Sequence, residues 1–185
     1  MTPLQDRDLN HLHQLFRSRV EPWLADVRAK FGPNCLMVVE TARTPERQAY
    51  LYAKGRTRPG NIVTYTLDSC HRYKTALDWV PLVNGAPSWD AVRYQEIYDA
   101  VPPSRYGLEL LEFERPHIQL AGGQAGARAL GIVRDRIYTS RWPVNTPPVK
   151  PPADAGKVVR LFDPATNTQT GTGTLIGDKV YTRSK

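Results

Sequence analysis

Two short runs hold most of the side chains that could do chemistry. The first is Ser69-Cys-His71-Arg-Tyr73-Lys74-Thr-Ala-Leu-Asp78, and the second is Glu114-Arg-Pro116-His117. Of the four histidines in the chain, His71 and His117 stand in these runs beside carboxylates. A catalytic zinc ion takes three protein ligands and keeps its fourth position open. Two neutral imidazoles and one carboxylate suit that role, so His71, Asp78 and His117 form a sound ligand set. Such a centre acidifies water and polarises a carbonyl. Glu114 is then a spare carboxylate, placed to move a proton from the attacking water to a leaving amine. Arg43 would add positive charge for an oxyanion or a substrate carboxylate, and Ser69 a hydrogen bond to substrate or loop. Spacing alone leaves other readings open: Asp78 as a turn cap or a solvent-facing acid, Arg43 as a surface arginine. His-x6-Asp has none of the specificity of a helical His-Glu-x-x-His pattern, which the chain lacks.

The elements that must position these residues follow from the flanking pattern. Leu9, Leu12, Phe16, Val20, Trp23, Leu24, Val27 and Phe31 recur at intervals of mostly three and four and predict an amphipathic helix over 8–31. Pro22 should interrupt or kink it, and Gly32-Pro33 end it. His11 and His13, two apart, face different sides of that helix and read as surface residues. Residues 36–41 read as a strand delivering Arg43 to its end. Thr44-Pro45 opens a helix to about Lys54, closed by Gly55. Residues 62–66 read as a strand, 69–71 as turn or extended chain, and 75–83 as a strand that contains Asp78. A carboxylate between Leu77 and Trp79 needs a partner or a metal, because burying it unpaired is costly. Ser88 should cap a helix over 89–100 with Trp89, Val92, Ile97 and Val101 on one face. Pro116 argues against a continuous helix through the second run, so Glu114 and His117 are expected to reach one site from a bent loop, with a strand from His117 to Leu120. A short helix is expected around 124–130.

Past residue 142 the composition changes. Residues 143–156 hold five prolines in fourteen positions, a semi-rigid linker. Short strands are expected at 157–162, 173–176 and 179–182. This divides the chain into a catalytic domain over 1–142, a linker over 143–156 and a small β-rich segment over 157–185. The fold class expected for the main domain is α+β, a small central antiparallel sheet with flanking helices.

The whole chain, 185 residues with 41% hydrophobic content, allows one ordinary domain and an appendage. No apolar run spans a bilayer, and the start, Met1-Thr-Pro-Leu-Gln-Asp, has neither the basic nor the apolar region of a secretory signal. Cys35 and Cys70 make no disulfide framework and read as free thiols. Cys70 should face away from its neighbours in extended chain, which removes it as a nucleophile. The formal charge of +7 is uneven: residues 1–119 carry 15 Lys/Arg against 14 Asp/Glu, and residues 120–185 carry 10 against 4. A basic back half favours an anionic partner. No aromatic platform accompanies that charge, so specific nucleic-acid binding is not expected.

The pattern Ser69-x-His71-x-Tyr73-x-x-Ala76-x-Asp78, followed by Glu114-x-Pro116-His117, resembles the zinc D-Ala-D-Ala carboxypeptidase and L-alanyl-D-glutamate endopeptidase family. That group includes VanX-type dipeptidases and many bacteriophage endolysins. The upstream run from Glu40 to Thr64, with Arg43, Gln48 and Gly55, looks like the endolysin branch. The resemblance covers about residues 8–130. It implies a Hedgehog/DD-peptidase-like fold, zinc on His71, Asp78 and His117, Glu114 as base, and Arg43 as substrate or transition-state binder. Ser69, Gln48 and Tyr73 would lie at the substrate groove. It also implies bacterial peptidoglycan as substrate, a monomeric enzyme, and residence in the host cytoplasm until lysis. Three departures stand out. Lys74 occupies a position where the family usually has glycine. Leu110-Leu-Glu-Phe113 replaces a Trp- and Gly-rich run, and the base is glutamate where aspartate is common.

Overall fold

A stripe of Phe16, Val20, Trp23, Leu24 and Val27 forms the buried face of the first long helix, α1 (Gln14–Phe31). In the computed structural model, which describes residues 2–111, 114–136, 158–162, 169–176 and 179–182, this stripe joins one hydrophobic core with the sheet. The helix is not interrupted at Pro22: α1 runs through it. An interior proline costs roughly 3 kcal/mol, but Val20, Trp23 and Leu24 around it are all fully buried, and each such side chain contributes about 1.5–3 kcal/mol. The interruption falls earlier. A 3-10 turn, Leu9–His11, precedes α1, and His13 caps the helix by accepting the Leu15 N–H at 3.2 Å.

The sheet is antiparallel and five-stranded, ordered β1 (Leu36–Glu40), β2 (Ala76–Val83), β5 (Glu114–Leu120), β4 (Leu108–Leu111), with the short β3 (Ala86–Pro87) on β2. Helices α2 (Pro45–Ala53), α3 (Ala91–Ala100) and α4 (Gly123–Ala129) flank it. The α+β class read from the sequence is the observed one. Thr44 caps α2 as expected, accepting the Arg47 N–H at 3.2 Å. Helix α3 starts later than expected because Asp90, not Ser88, is its cap. That shift leaves Trp89 and Val92 exposed, while Tyr94, Ile97, Tyr98 and Val101 face the core.

Residues 62–66 form no strand. Side chains replace a ladder there: Arg56 donates to the Thr64 carbonyl at 3.2 Å and Gln48 to the Thr66 carbonyl at 2.7 Å. The expected bent loop at Glu114 is instead the start of β5, where the β4–β5 register slips between Leu110 and Leu111. Pro116 sits in that slip, where its missing N–H costs no ladder bond. Val158–Phe162, Gln169–Ile176 and Lys179–Thr182 form a separate three-stranded antiparallel sheet (β6–β8), close to the expected strands. The proline-rich stretch 143–156 lies outside the described residues. Among the described residues no helix is long and apolar enough to cross a membrane.

Candidate metal centre and its cavity

Strand pairing brings the two chemical runs together. Asp78 on β2 is the direct partner of His117 on β5 and, on its other side, of Glu40 on β1. His71 arrives from a 3-10 turn, Cys70–Tyr73, that Ser69 caps by accepting the His71 N–H at 3.3 Å. Lys74 ends this turn with φ 60 and ψ 29. That left-handed conformation favours glycine and costs other residues roughly 1–2 kcal/mol. The Lys74 side chain recovers a bond to the Arg136 carbonyl.

His71 Nε2, His117 Nδ1 and Asp78 Oδ1 form a triangle with sides of 3.0, 3.1 and 3.2 Å. Ligand atoms about 2.0–2.1 Å from a tetrahedral zinc stand roughly 3.3–3.4 Å apart, so this triangle is a slightly contracted tetrahedral face. The second nitrogen of each imidazole is already engaged. His71 Nδ1 donates to the Thr41 carbonyl at 2.6 Å, and His117 Nε2 donates to Gln119 Oε1 at 3.0 Å. Each neutral ring therefore turns a lone pair, not a hydrogen, toward the triangle. Two lone pairs and a carboxylate oxygen at such separations repel unless a cation lies between them. The donor set fits a metal of zinc's type, and these three residues are the group among the described residues that could hold one.

The electrostatics agree. Burial pushes the Asp78 carboxyl up, but electrostatic interaction with His71 and hydrogen bonds with His117 and His71 outweigh it and hold the group well below the usual carboxylate range. Burial drives His71 down, and the Arg43 guanidinium adds to that. Burial also pulls on His117, yet its hydrogen bond to Asp78 and that carboxylate's charge raise it overall.

Arg43 holds the other side of Asp78. Its Nη2 lies 2.8 Å from Asp78 Oδ2, its Nε donates to Glu40 Oε2 at 2.7 Å, and its Nη1 to Gln48 Oε1 at 3.3 Å. Arg47 meets the second Glu40 oxygen at 2.8 Å. Glu40 went unremarked as a site residue in the sequence. Its signal is a charged residue closing the apolar strand Leu-Met-Val-Val-Glu. Gln119 was missed too, although it lies two positions after His117 and so shares its strand face.

Beside the triangle is a cavity lined by Arg43, Thr64, Thr66, Ser69, Cys70, Leu111, Glu114, His117, Gln119 and Gln124. The structure thus gathers Arg43, Ser69, Glu114 and His117 around one space. Gln48 and Tyr73, expected at the groove, are buried and do not line this cavity. Gln48 is fully buried and spends its amide on Arg43 and the 64–66 segment. Tyr73 joins the core, with its hydroxyl accepting from Arg128 at 2.8 Å. Cys70 is buried and its thiol is pushed up to about 12, chiefly by burial, so it is no nucleophile at neutral pH. Cys35 and Cys70 are both unpaired.

No family model and no curated protein matches the sequence. Among solved structures, the chain is similar to the Serratia marcescens L-Ala D-Glu endopeptidase ChiX, at 24% sequence identity and a TM-score of 0.44, covering 70% of this chain and 92% of that one. It is also similar to the LdcB LD-carboxypeptidase, at 15% identity and a TM-score of 0.48, covering 70% of this chain and 68% of the other.

Proposed function

We propose that this protein is a zinc-dependent peptidoglycan endopeptidase of the endolysin type, hydrolysing the L-alanyl–D-glutamate bond of the stem peptide. The observation that carries the reading is the triangle of His71 Nε2, Asp78 Oδ1 and His117 Nδ1, each with a lone pair turned inward, whose member His117 lines a cavity that Glu114 also lines. When bound, zinc supplies Lewis acidity to water and to the scissile carbonyl. Glu114 accepts a proton from the attacking water and returns it to the leaving amine. Arg43 offers positive charge to the carbonyl oxygen or to a substrate carboxylate while it braces Asp78. Ser69 lies on the same wall and contacts substrate. The choice of bond rests on the sequence resemblance of residues 40–64 to the endolysin branch.

The catalytic unit in this reading is residues 1–142, joined by the 143–156 linker to the β6–β8 sheet. The excess of Lys/Arg after residue 119 suits attachment to an anionic wall. A monomer acting on the wall once the host membrane opens completes the reading. The test is digestion of purified muropeptides with mass spectrometry of the products, alongside metal analysis. Cleavage after L-alanine with one zinc per chain is expected. Release of terminal D-alanine alone would replace the endopeptidase with a carboxypeptidase. Absence of stoichiometric zinc, with lysis unchanged in Glu114→Ala, would end the enzymatic reading.

A further inference from the structure

We propose that Gln119, held by Glu109, is a positioning residue that selects which nitrogen His117 turns to the metal. The inference rests on the metal site proposed above. The Gln119 side chain is buried between two partners: its Oε1 lies 3.0 Å from His117 Nε2, and its Nε2 lies 3.4 Å from Glu109 Oε1. A carboxylate offers only lone pairs, so the amide nitrogen must face Glu109 and the amide oxygen must face His117. An amide oxygen only accepts, so His117 Nε2 must carry the hydrogen. A neutral imidazole has one N–H. The lone pair is therefore on Nδ1, the nitrogen 3.0 Å from Asp78 Oδ1 and 3.2 Å from His71 Nε2.

Glu109 is itself fixed. It is the register partner of Gln119 across β4 and β5, and its other oxygen accepts the Gly122 N–H at 2.8 Å. Polarity thus passes from a backbone amide through a carboxylate and a carboxamide to the ligand. Gly123 leaves room for this chain, since a Cβ there would stand 3.0 Å from Gln119 Nε2. The two histidines are oriented by different devices. His71 leans on the Thr41 backbone carbonyl, which has no second orientation to offer. Gln119 can turn its amide over with almost no change of shape. The flipped amide presents N–H to His117, which moves the imidazole hydrogen onto Nδ1, into the centre of the ligand triangle. Glu109 forbids that flip.

Zinc affinity of the full-length protein, measured by competition with a chelator after metal removal, tests the inference. Gln119→Leu should weaken binding by about 10- to 100-fold, the usual effect of losing a partner of a metal ligand. Glu109→Gln touches no ligand and keeps the side-chain shape, yet it should weaken binding in the same direction because the amide is free to turn. The swapped pair Glu109→Gln with Gln119→Glu restores the order of donors and acceptors and should recover affinity. Nitrogen NMR of the zinc-loaded wild type should place the His117 hydrogen on Nε2. The inference is overturned by wild-type affinity in Glu109→Gln, by a swapped pair no better than that single variant, or by a hydrogen on Nδ1. Should Gln119→Leu fail to fold, the isosteric Glu109→Gln and the NMR assignment decide. Failure of the wild type to take up zinc would remove the metal site itself, whereas tight wild-type binding with insensitive variants removes only the role of Gln119.

Discussion

Replacing Arg43 with methionine keeps an unbranched apolar stem and removes the guanidinium with its charge. In the native protein Arg43 stands between two buried carboxylates that are direct partners across β1 and β2, with side-chain exposures of 4% for Glu40, 10% for Arg43 and 13% for Asp78. Truncating one member of a buried ion pair costs about 3–5 kcal/mol, because the remaining charge is left uncompensated. Here Glu40 keeps Arg47 at 2.8 Å, so the loss falls mainly on Asp78 and the lower end applies, about 3 kcal/mol. For a chain of 185 residues that corresponds to a fall in melting temperature of about 6–12 °C. Zinc brings positive charge to the other Asp78 oxygen, so the loss should shrink when the metal is bound. Urea and thermal unfolding of wild type and Arg43→Met, each with and without zinc, give the four values required. A loss under about 1 kcal/mol in the metal-free protein, the range of an exposed pair, would refute the bracing role. An equal loss with and without zinc would refute the coupling between Arg43 and the metal through Asp78.

Glu114→Gln should lower turnover on muropeptides by about 10²–10⁴-fold, the range for losing a general acid–base, with zinc content and melting temperature unchanged; lost zinc would instead make Glu114 a ligand. The pH dependence of the metal-free protein follows from two opposite shifts. The lowered Asp78 carboxyl contributes stability above its unfolded value of about 3.9 that is lost as pH falls through its native value, and the raised His117 contributes below about 6.5, lost as pH rises through its native value. Metal-free stability from this pair should therefore be greatest between those two unfolded values, and zinc binding below about pH 6.5 should release a proton from His117, read by calorimetry in buffers of different ionisation enthalpy. Cys70, with its thiol pushed up to about 12, should resist maleimide at pH 8 in the folded protein and react on unfolding; rapid labelling of the native state would contradict its burial.

Much of the site was legible because metal chemistry restricts residue types. Few histidines, a carboxylate in an apolar strand and a second acid near the last histidine were enough to single out the three residues that meet in the triangle and the Glu114 that lines the cavity beside it. The sequence was less informative where a side chain's role depends on what faces it. Gln48 and Tyr73 read as groove residues because they lie within the resembling runs, but folding buries both and leaves them out of the cavity lining. Residues 62–66 had the β-branched composition of a strand, yet Gln48 and Arg56 capture their carbonyls instead. Pro22 carried a strong local signal for an interruption that burial of its neighbours overrides.

The donor chemistry of His71, Asp78 and His117, the helix cap at Thr44 and the alternation that turns Asp78 inward are local properties, set by residue type and period. The protonation geometry is not local. Which nitrogen each histidine presents depends on Thr41 for His71 and on Gln119 for His117, and Gln119 depends in turn on Glu109, ten residues earlier. Arg43 became a brace for Asp78 rather than a free cation because β1 and β2 pair Glu40 with Asp78 and leave two carboxylates to neutralise. Residue type determines what a side chain can donate or accept; only strand register decides which partner meets it, because hydrogen bonds and charge pairs act over a few ångströms and those distances are set by the fold.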